Sequence, residues 1–125
     1  MRSVLVIEDD PAVAQAIADV LADAGHHPVT VRTLAEGRAS LATEAPDLVV
    51  LDLTLAAEFG ADLLDYLSEQ PDSPAVVIVS GFGLAPMVAQ RFSVPLVTKP
   101  FAVEALIAAT ERALAQSLRP RRVGT

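Results

Sequence analysis

The fold of this 125-residue chain is decided near its start, by the stretch Val4-Leu5-Val6-Ile7-Glu8-Asp9-Asp10-Pro11. Its four leading apolar residues predict a short strand that is buried on both faces of a sheet. Asp10 and Pro11 then predict the start of a helix, with Asp10 as the N-cap and Pro11 in the first helical position. The stretch therefore indicates one strand–helix unit with acidic side chains at the end of the strand.

The same unit recurs along the rest of the chain. Apolar runs that predict further strands lie at residues 29–31, 48–51, 76–79 and 96–97. Helices are predicted at residues 11–24, from residue 34 to about residue 44, around residues 63–67, and at residues 86–92 and 103–114. This alternation implies a parallel sheet that is covered by helices on both faces.

The order of the strands follows from their expected burial. Strands 1, 3 and 4 are continuous apolar runs, as strands in the centre of a parallel sheet should be. Strands 2 and 5 are short and are interrupted by polar residues or proline, which is typical of edge strands. We therefore predict an α/β fold, a flavodoxin-like doubly wound (βα)5 sandwich with strand order 2-1-3-4-5. One domain is expected over residues 1–118, followed by a flexible basic tail over residues 119–125.

The composition excludes several classes of function. Hydrophobic residues make up 52% of the chain and charged residues 20%, which argues for a compact domain and against disorder. Cysteine is absent, so disulfides and zinc–thiolate sites are excluded. The formal net charge of −7 argues against a nucleic-acid partner. No apolar stretch has the length of a membrane span or a secretion signal, so we expect a cytoplasmic protein with no membrane partner.

Polar side chains collect where the predicted strands end. Glu8 and Asp9 follow strand 1, and Asp52 follows strand 3. Ser80 follows strand 4, and Lys99 follows strand 5. A parallel sheet brings all of these side chains to one edge, where carboxylates repel each other unless a cation compensates them. Mg²⁺ prefers carboxylates, carbonyls and water as ligands, so it is the predicted cofactor.

Acids at strand ends can also cap helices or face water, and for Asp10 we favour that interpretation. Asp52 differs, because it closes a wholly apolar strand and is followed by a loop rather than by a helix start. Lys99 is the only lysine of the chain, which also has eight arginines. A compact ammonium at a strand end favours a specific role for this residue.

Four segments, in this order, resemble the receiver domain of two-component response regulators. They are residues 4–11, the segment Leu51-Asp52-Leu53-Thr54-Leu55 with Gly60 downstream, the segment Val79-Ser80-Gly81, and the segment Val97-Thr98-Lys99-Pro100-Phe101. The resemblance covers nearly the whole chain. It implies a phosphoacceptor domain of a two-component or phosphorelay pathway, either stand-alone or part of a hybrid kinase.

The resemblance also implies roles for individual residues. Asp52 would accept a phosphoryl group from a phosphohistidine on a histidine kinase or a histidine phosphotransfer protein. Asp9 would bind Mg²⁺ directly and Glu8 largely through water. Asp52 and the main-chain carbonyl of Thr54 would be further ligands.

Two residues would contact the phosphoryl group itself. Ser80 would hydrogen-bond one of its oxygens, and Lys99 would pair with its negative charge. The resemblance further implies a cis bond between Lys99 and Pro100. Phosphorylation would then switch protein–protein contacts with a downstream target that the sequence does not name.

Some positions depart from the family pattern. Leu96 stands where an aromatic switch residue is expected, three residues before Lys99. Ser80 and Lys99 are only 19 positions apart, which predicts a shortened fourth helix. Met87 and Phe92 are expected to pack beneath that helix.

Two other functions stay open at this point. A Mg²⁺-dependent phosphohydrolase with Asp52 as nucleophile would need a second acid two residues later, where this chain has Thr54. A degenerate receiver could act as a phosphorylation-independent interaction scaffold, although the polar residues retained at the strand ends argue against it. We therefore expect a signalling domain that promotes its own phosphotransfer and dephosphorylation, and not a dedicated enzyme.

Overall fold

The computed structural model describes residues 2–53, 61–70, 72–81 and 83–116. Strands and helices alternate along these residues. The strands are β1 (Ser3–Ile7), β2 (His27–Val31), β3 (Leu48–Leu51), β4 (Ala75–Ser80) and β5 (Leu96–Thr98). The helices are α1 (Pro11–Asp23), α2 (Leu34–Thr43), α3 (Ala61–Ser68), α4 (Ala85–Phe92) and α5 (Val103–Gln116). The strands form one parallel sheet in the order β2-β1-β3-β4-β5, which confirms the predicted flavodoxin-like topology.

Burial separates the central strands from the edge as predicted. All residues of β3 and β4 and most of β1 are buried, whereas β2 is mostly exposed. The edge strand β2 begins at His27, two residues earlier than predicted, with Pro28 paired to Val4 of β1. A proline is tolerated there because an edge strand has one side that makes no ladder hydrogen bonds.

Side chains of the central strands alternate between the two faces of the sheet and build a core on each face. On one face, Ile7 packs with Leu63 of α3 and with residues of α2 and α4. On the other face, Val6 packs with Ile17 of α1 and Leu106 of α5. Because both faces are covered by helices, the ends of the strands are the part of the sheet that is left to build a site.

Two helix starts are fixed by side-chain caps. The Oδ1 atom of Asp10 accepts hydrogen bonds from the N–H groups of Ala12, at 2.9 Å, and Val13, at 3.4 Å, as the N-cap prediction requires. The hydroxyl of Thr33 accepts a hydrogen bond from the N–H of Glu36 at 3.0 Å, which caps α2 in the same way. The first cap turns the chain into α1 directly after the acidic end of β1.

A buried acid holds the opposite, amino-terminal edge of the sheet. Asp47 precedes β3 and is only 6% exposed. Its Oδ2 atom accepts a hydrogen bond from the N–H of Ser3 at 3.0 Å. The main chain of Asp47 also donates to the Ser3 carbonyl at 2.9 Å and accepts from the N–H of Ala75 at 3.0 Å. Asp47 therefore ties the starts of β1, β3 and β4 together.

The fourth helix is short, with eight residues, in agreement with the spacing of Ser80 and Lys99. Its buried residues are the small Ala85 and Ala89. The expectation that Met87 packs beneath the helix is wrong, because its side chain is 67% exposed on the other side. Phe92 does pack against the core, as expected.

Several predictions fall on residues outside the described ranges. These are the carbonyl of Thr54, the position of Gly60 and the basic tail over residues 119–125. Within the described ranges, none of the helices has both the length and the apolar character that crossing a membrane requires.

Candidate functional site

The carboxyl ends of the strands are joined by main-chain hydrogen bonds that continue the sheet by one residue. The N–H of Glu8 donates to the Val31 carbonyl at 3.0 Å, and the N–H of Asp52 donates to the Ile7 carbonyl at 3.1 Å. On the other side of the sheet, the N–H of Lys99 donates to the Ser80 carbonyl at 3.2 Å. The predicted site residues are thus held at one edge by the sheet itself.

Lys99 bridges two buried carboxylates at this edge. Its Nζ atom lies 2.6 Å from Oε1 of Glu8 and 3.1 Å from Oδ2 of Asp52. Glu8 is 1% exposed and Asp52 is 4% exposed, so both acids are almost completely removed from water. Charge-assisted hydrogen bonds to an ammonium compensate part of the cost of burying them.

Asp9 brings a third carboxylate to the same place. Glu8, Asp9 and Asp52 each offer one oxygen atom, and these atoms lie within 4.8 Å of one another. Asp9 is half-buried, unlike its two neighbours. Three carboxylates around the one ammonium of Lys99 leave an excess of negative charge that a further cation could neutralise. We call Glu8, Asp9, Asp52 and Lys99 the charge cluster.

Asp10 contributes to the cluster through its main chain. Its N–H donates a hydrogen bond to Oε2 of Glu8 at 3.1 Å, while its side chain caps α1. Glu8 is therefore held from two sides, by Asp10 and by Lys99. The sequence identifies Asp10 as a cap, but the main-chain contact has no sequence signal because every residue except proline carries an N–H group.

The electrostatics of the cluster follow from its burial. Burial raises the pKa of Glu8, and the hydrogen bonds from Lys99 and the Asp10 N–H only partly oppose this effect. For Lys99, burial acts to lower the pKa, but the hydrogen bonds to Glu8 and Asp52 outweigh it and the pKa is raised. Lys99 is therefore a permanent cation of this edge.

Ser80 and Lys99 meet at the outer part of the same edge. Ser80 closes β4 and is 1% exposed. The bond between Lys99 and Pro100 is cis, as the resemblance implies. Thr54, the remaining predicted ligand, lies outside the described residues. In the part of the chain that the structure describes, the charge cluster contains the one group of three or more acidic or histidine residues that is arranged to hold a metal ion.

The fold and the charge cluster define a class of protein: flavodoxin-like α/β domains with acids and a lysine at the carboxyl edge of a parallel sheet. The family model of the response regulator receiver domain matches residues 4–111. The chain belongs to this family and is a signalling domain of two-component systems.

Two curated relatives are regulatory proteins. The nitrogen assimilation regulatory protein NtrX of Azorhizobium caulinodans is 32% identical over 126 residues, with 97% of this chain covered. The C4-dicarboxylate transport transcriptional regulatory protein DctD of Pseudomonas aeruginosa is 31% identical over 114 residues, with 89% of this chain covered. The matches cover 28% and 25% of these relatives, so the chain spans about a quarter of their length.

A solved structure matches the chain as a whole domain. The receiver domain of NtrX from Brucella abortus is 33% identical and superposes with a TM-score of 0.82. The match covers 91% of this chain and 99% of that receiver domain. The similarity is therefore to an entire receiver domain and not to a fragment of one.

Proposed function

We propose that this domain accepts a phosphoryl group on Asp52 from a phosphohistidine of a histidine kinase or a histidine phosphotransfer protein. The observation that carries the proposal is the setting of Asp52. Its carboxylate is buried at the end of β3, and its Oδ2 atom lies 3.1 Å from the Nζ atom of Lys99. A nucleophilic carboxylate beside a fixed cation is suited to a reaction in which negative charge is transferred.

In the proposed step, a carboxylate oxygen of Asp52 attacks the phosphorus of the donor. The N–P bond of the phosphohistidine breaks, its electron pair returns to the imidazole nitrogen, and an acyl phosphate forms on Asp52. Lys99 then pairs with the transferred phosphoryl oxygens. We assign to Ser80 a hydrogen bond from its hydroxyl to one of these oxygens, and the hydrogen bond between its carbonyl and the Lys99 N–H supports this role.

Mg²⁺ is the proposed cofactor, and the residues fit it. The three carboxylates of the charge cluster offer hard oxygen atoms within 4.8 Å of one another, which suits this ion. When bound, Mg²⁺ neutralises charge on the phosphoryl oxygens. We propose that the half-exposed Asp9 binds it directly and that the buried Glu8 acts largely through water. Asp52 and the main-chain carbonyl of Thr54 would be further ligands.

The alternatives have less support. A scaffold that works without phosphorylation has no need for two buried acids and a lysine in contact, because such a cluster is costly to bury. A phosphohydrolase would need a second acid at position 54, which is threonine. We propose a cytoplasmic signalling domain that acts through protein contacts with a downstream target and that also promotes its own dephosphorylation.

The proposal is tested by the intact mass of the protein after incubation with Mg²⁺ and a small phosphoryl donor. Acetyl phosphate and phosphoramidate are suitable, and the second mimics the N–P bond of phosphohistidine. We expect wild type to gain one phosphoryl group in Mg²⁺ and to gain none when EDTA is present. Asp52→Asn should gain none in either condition.

A second acid variant controls for damage to the fold. Asp47→Asn keeps a hydrogen-bond acceptor at the opposite edge and should be phosphorylated like wild type. If wild type gains no phosphoryl group from either donor in Mg²⁺, the scaffold alternative is favoured. If Asp52→Asn is phosphorylated as fast as wild type, the acceptor assignment is wrong.

A further inference from the structure

A groove of about 330 Å³ opens at the amino-terminal edge of the sheet, away from the charge cluster. Residues of α3, of the start of β4, of the connection from α4 to β5 and of the end of α5 line it. Apolar residues such as Leu67, Val76, Phe92 and Val94 line it together with several serines. Gln116, the last residue of α5, also lines it.

A second groove of about 230 Å³ continues the first one between the end of α2 and α3. The two share Leu67, Ser73 and Pro74, so they form one surface, which we call the edge groove. Among the described residues that line it, the charged side chains are Glu44 and Asp72, both exposed acids. The edge groove therefore suits a segment that is partly apolar and positively charged.

The chain itself supplies such a segment directly after Gln116. The sequence continues Ser117-Leu118-Arg119-Pro120-Arg121-Arg122-Val123-Gly124-Thr125. Leu118 lies two positions after Gln116 in the sequence, and three arginines follow it. In an otherwise acidic chain with a net charge of −7, this is the one dense group of positive charge. Nine residues can reach about 30 Å when extended, roughly the diameter of a small domain.

We propose that residues 117–122 dock in the edge groove of their own chain, with Leu118 against the apolar part and the arginines near Glu44 and Asp72. This differs from the flexible tail that the sequence analysis expects for residues 119–125. Ion pairs between exposed groups are weak and are screened by salt, so docking should weaken as the salt concentration rises. The proposal does not depend on phosphoryl transfer, since the edge groove lies at the other end of the sheet.

Docking would connect the end of α5 with the connection from α4 to β5. Ser93 and Val94 of that connection line the groove, together with Phe92, the last residue of α4. The docked segment would thus link two elements that contact each other little through the core: α5 packs with Val6, and α4 packs with Ile7.

Disulfide trapping tests the proposal in the 125-residue chain, which has no cysteine of its own. The test pair is Ser73→Cys with Arg121→Cys, which joins the middle of the edge groove to the segment. The control pair is Arg112→Cys with Arg121→Cys. Arg112 is exposed on α5 one turn before Gln116, but it does not line the groove. In a glutathione redox buffer at low salt, we expect the test pair to form an intramolecular disulfide at least about tenfold more readily than the control pair.

Acid-neutralising variants show whether charge guides the docking. In the test-pair background, Glu44→Gln with Asp72→Asn should lower disulfide formation by roughly twofold to fivefold, the range expected for exposed ion pairs. Asp19→Asn with Asp23→Asn removes the same charge from the exposed side of α1 and should leave the yield unchanged. Raising the salt concentration should reduce the yield of the test pair in the same way as the groove variants.

Three results would overturn the proposal. Equal disulfide yields from the test and control pairs would show a segment that does not prefer the groove. Disulfides formed mainly between two chains would show that a second copy occupies it. Equal effects of the groove and α1 acid variants would show that the arginines do not recognise Glu44 and Asp72.

Discussion

The two edges of the sheet each hold a buried aspartate, and they satisfy it in different ways. At the amino edge, Asp47 is 6% exposed and accepts a hydrogen bond from the main-chain N–H of Ser3. At the carboxyl edge, Asp52 is 4% exposed and shares the ammonium of Lys99 with Glu8. The first acid is held by neutral donors of the sheet, whereas the second stands in a group of charges.

Depth of burial alone therefore does not distinguish the candidate site at the carboxyl edge from the structural aspartate at the amino edge. Asp47 completes the main-chain connections between three strands, and its carboxylate is engaged by the N–H of Ser3. The charge cluster gathers three carboxylates around one ammonium, and this leaves negative charge that a bound cation would neutralise. The comparison predicts that the two edges respond differently to mutation, to Mg²⁺ and to acid.

The largest effect is expected from removing the positive charge of the cluster. Lys99→Met leaves Glu8 and Asp52 buried without their cation and should lower the free energy of unfolding by about 2–3 kcal/mol near neutral pH, because unpaired buried charges are strongly destabilising. Urea unfolding in metal-free buffer measures this loss. The control is Arg91→Met, which breaks an ion pair with Asp65 whose side chains are 68% and 51% exposed and should cost below about 1 kcal/mol. Equal losses would contradict a special role of the cluster.

Removing one acid from each edge should sharpen the comparison. Asp47→Ala leaves the partly buried N–H of Ser3 without its acceptor and should destabilise the domain by about 1–3 kcal/mol. Asp52→Asn relieves repulsion with Glu8 and leaves Lys99 paired with Glu8, so it should cost less stability than Asp47→Ala. Thermal unfolding of the two variants checks the difference. A larger loss for Asp52→Asn than for Asp47→Ala would reverse our view of the two edges.

Mg²⁺ should stabilise the protein through the carboxyl edge alone. At a concentration ten times its dissociation constant, a ligand of the folded state adds about 1.4 kcal/mol. We expect this gain in wild type and in Asp47→Asn, and its loss in Asp9→Asn, which removes the most exposed carboxylate of the cluster. Thermal unfolding with and without Mg²⁺, at matched ionic strength, measures it. An undiminished gain in Asp9→Asn would place the ion elsewhere.

The smallest expected effect is the response to acid, which should differ in sign between the edges. Burial lowers the pKa of His26, which lies beside the start of β2. The contribution of His26 to stability is therefore fully present above pH 6.5, the ordinary pKa of histidine, and is lost as the pH falls. Burial raises the pKa of Glu8. The contribution of Glu8 to stability is therefore fully present below pH 4.5, the ordinary pKa of glutamate, and is lost as the pH rises.

Urea unfolding in metal-free buffer between about pH 7.5 and about pH 5.5 tests these signs. His26→Gln should reduce the loss of stability on acidification, because the variant has no imidazole to protonate. Glu8→Gln should increase that loss, because the opposing contribution of Glu8 is removed. Shifts of both variants in the same direction would contradict the assignment.

Much of the fold was predictable because its signals are local. Continuous apolar runs identified the central strands, and Asp10 identified the start of α1 through its cap. The sequence of α2 shows only a weak apolar pattern, and the helix buries Leu34 and Gly37. Gly37 lies so close to Ile7 that a Cβ atom on the glycine would be 2.6 Å from Cδ1 of Ile7. A helix that packs through a glycine shows little hydrophobic pattern, although it is well packed.

The meeting of the predicted side chains at one edge of the sheet could be predicted, but the contacts between them could not. Parallel topology alone brings Glu8, Asp52 and Lys99 to one edge. Lys99 lies closer to Glu8 than to Asp52. This difference depends on side-chain geometry, which the spacing of residues along the sequence does not encode. Asp47 was not predicted either, because an acid before an apolar strand does not differ in sequence from a loop residue that faces water.

We propose that the crowded charge of the carboxyl edge, and not burial alone, makes Asp52 the phosphoryl acceptor. The most direct test is to locate the phosphoryl group. The protein is phosphorylated with acetyl phosphate and Mg²⁺ and treated with borohydride, which reduces an acyl phosphate to an alcohol, and its peptides are sequenced by tandem mass spectrometry. We predict the reduced residue at position 52 and intact aspartates at positions 9 and 47. A reduced residue at position 9 or 47 in place of position 52 would contradict the account.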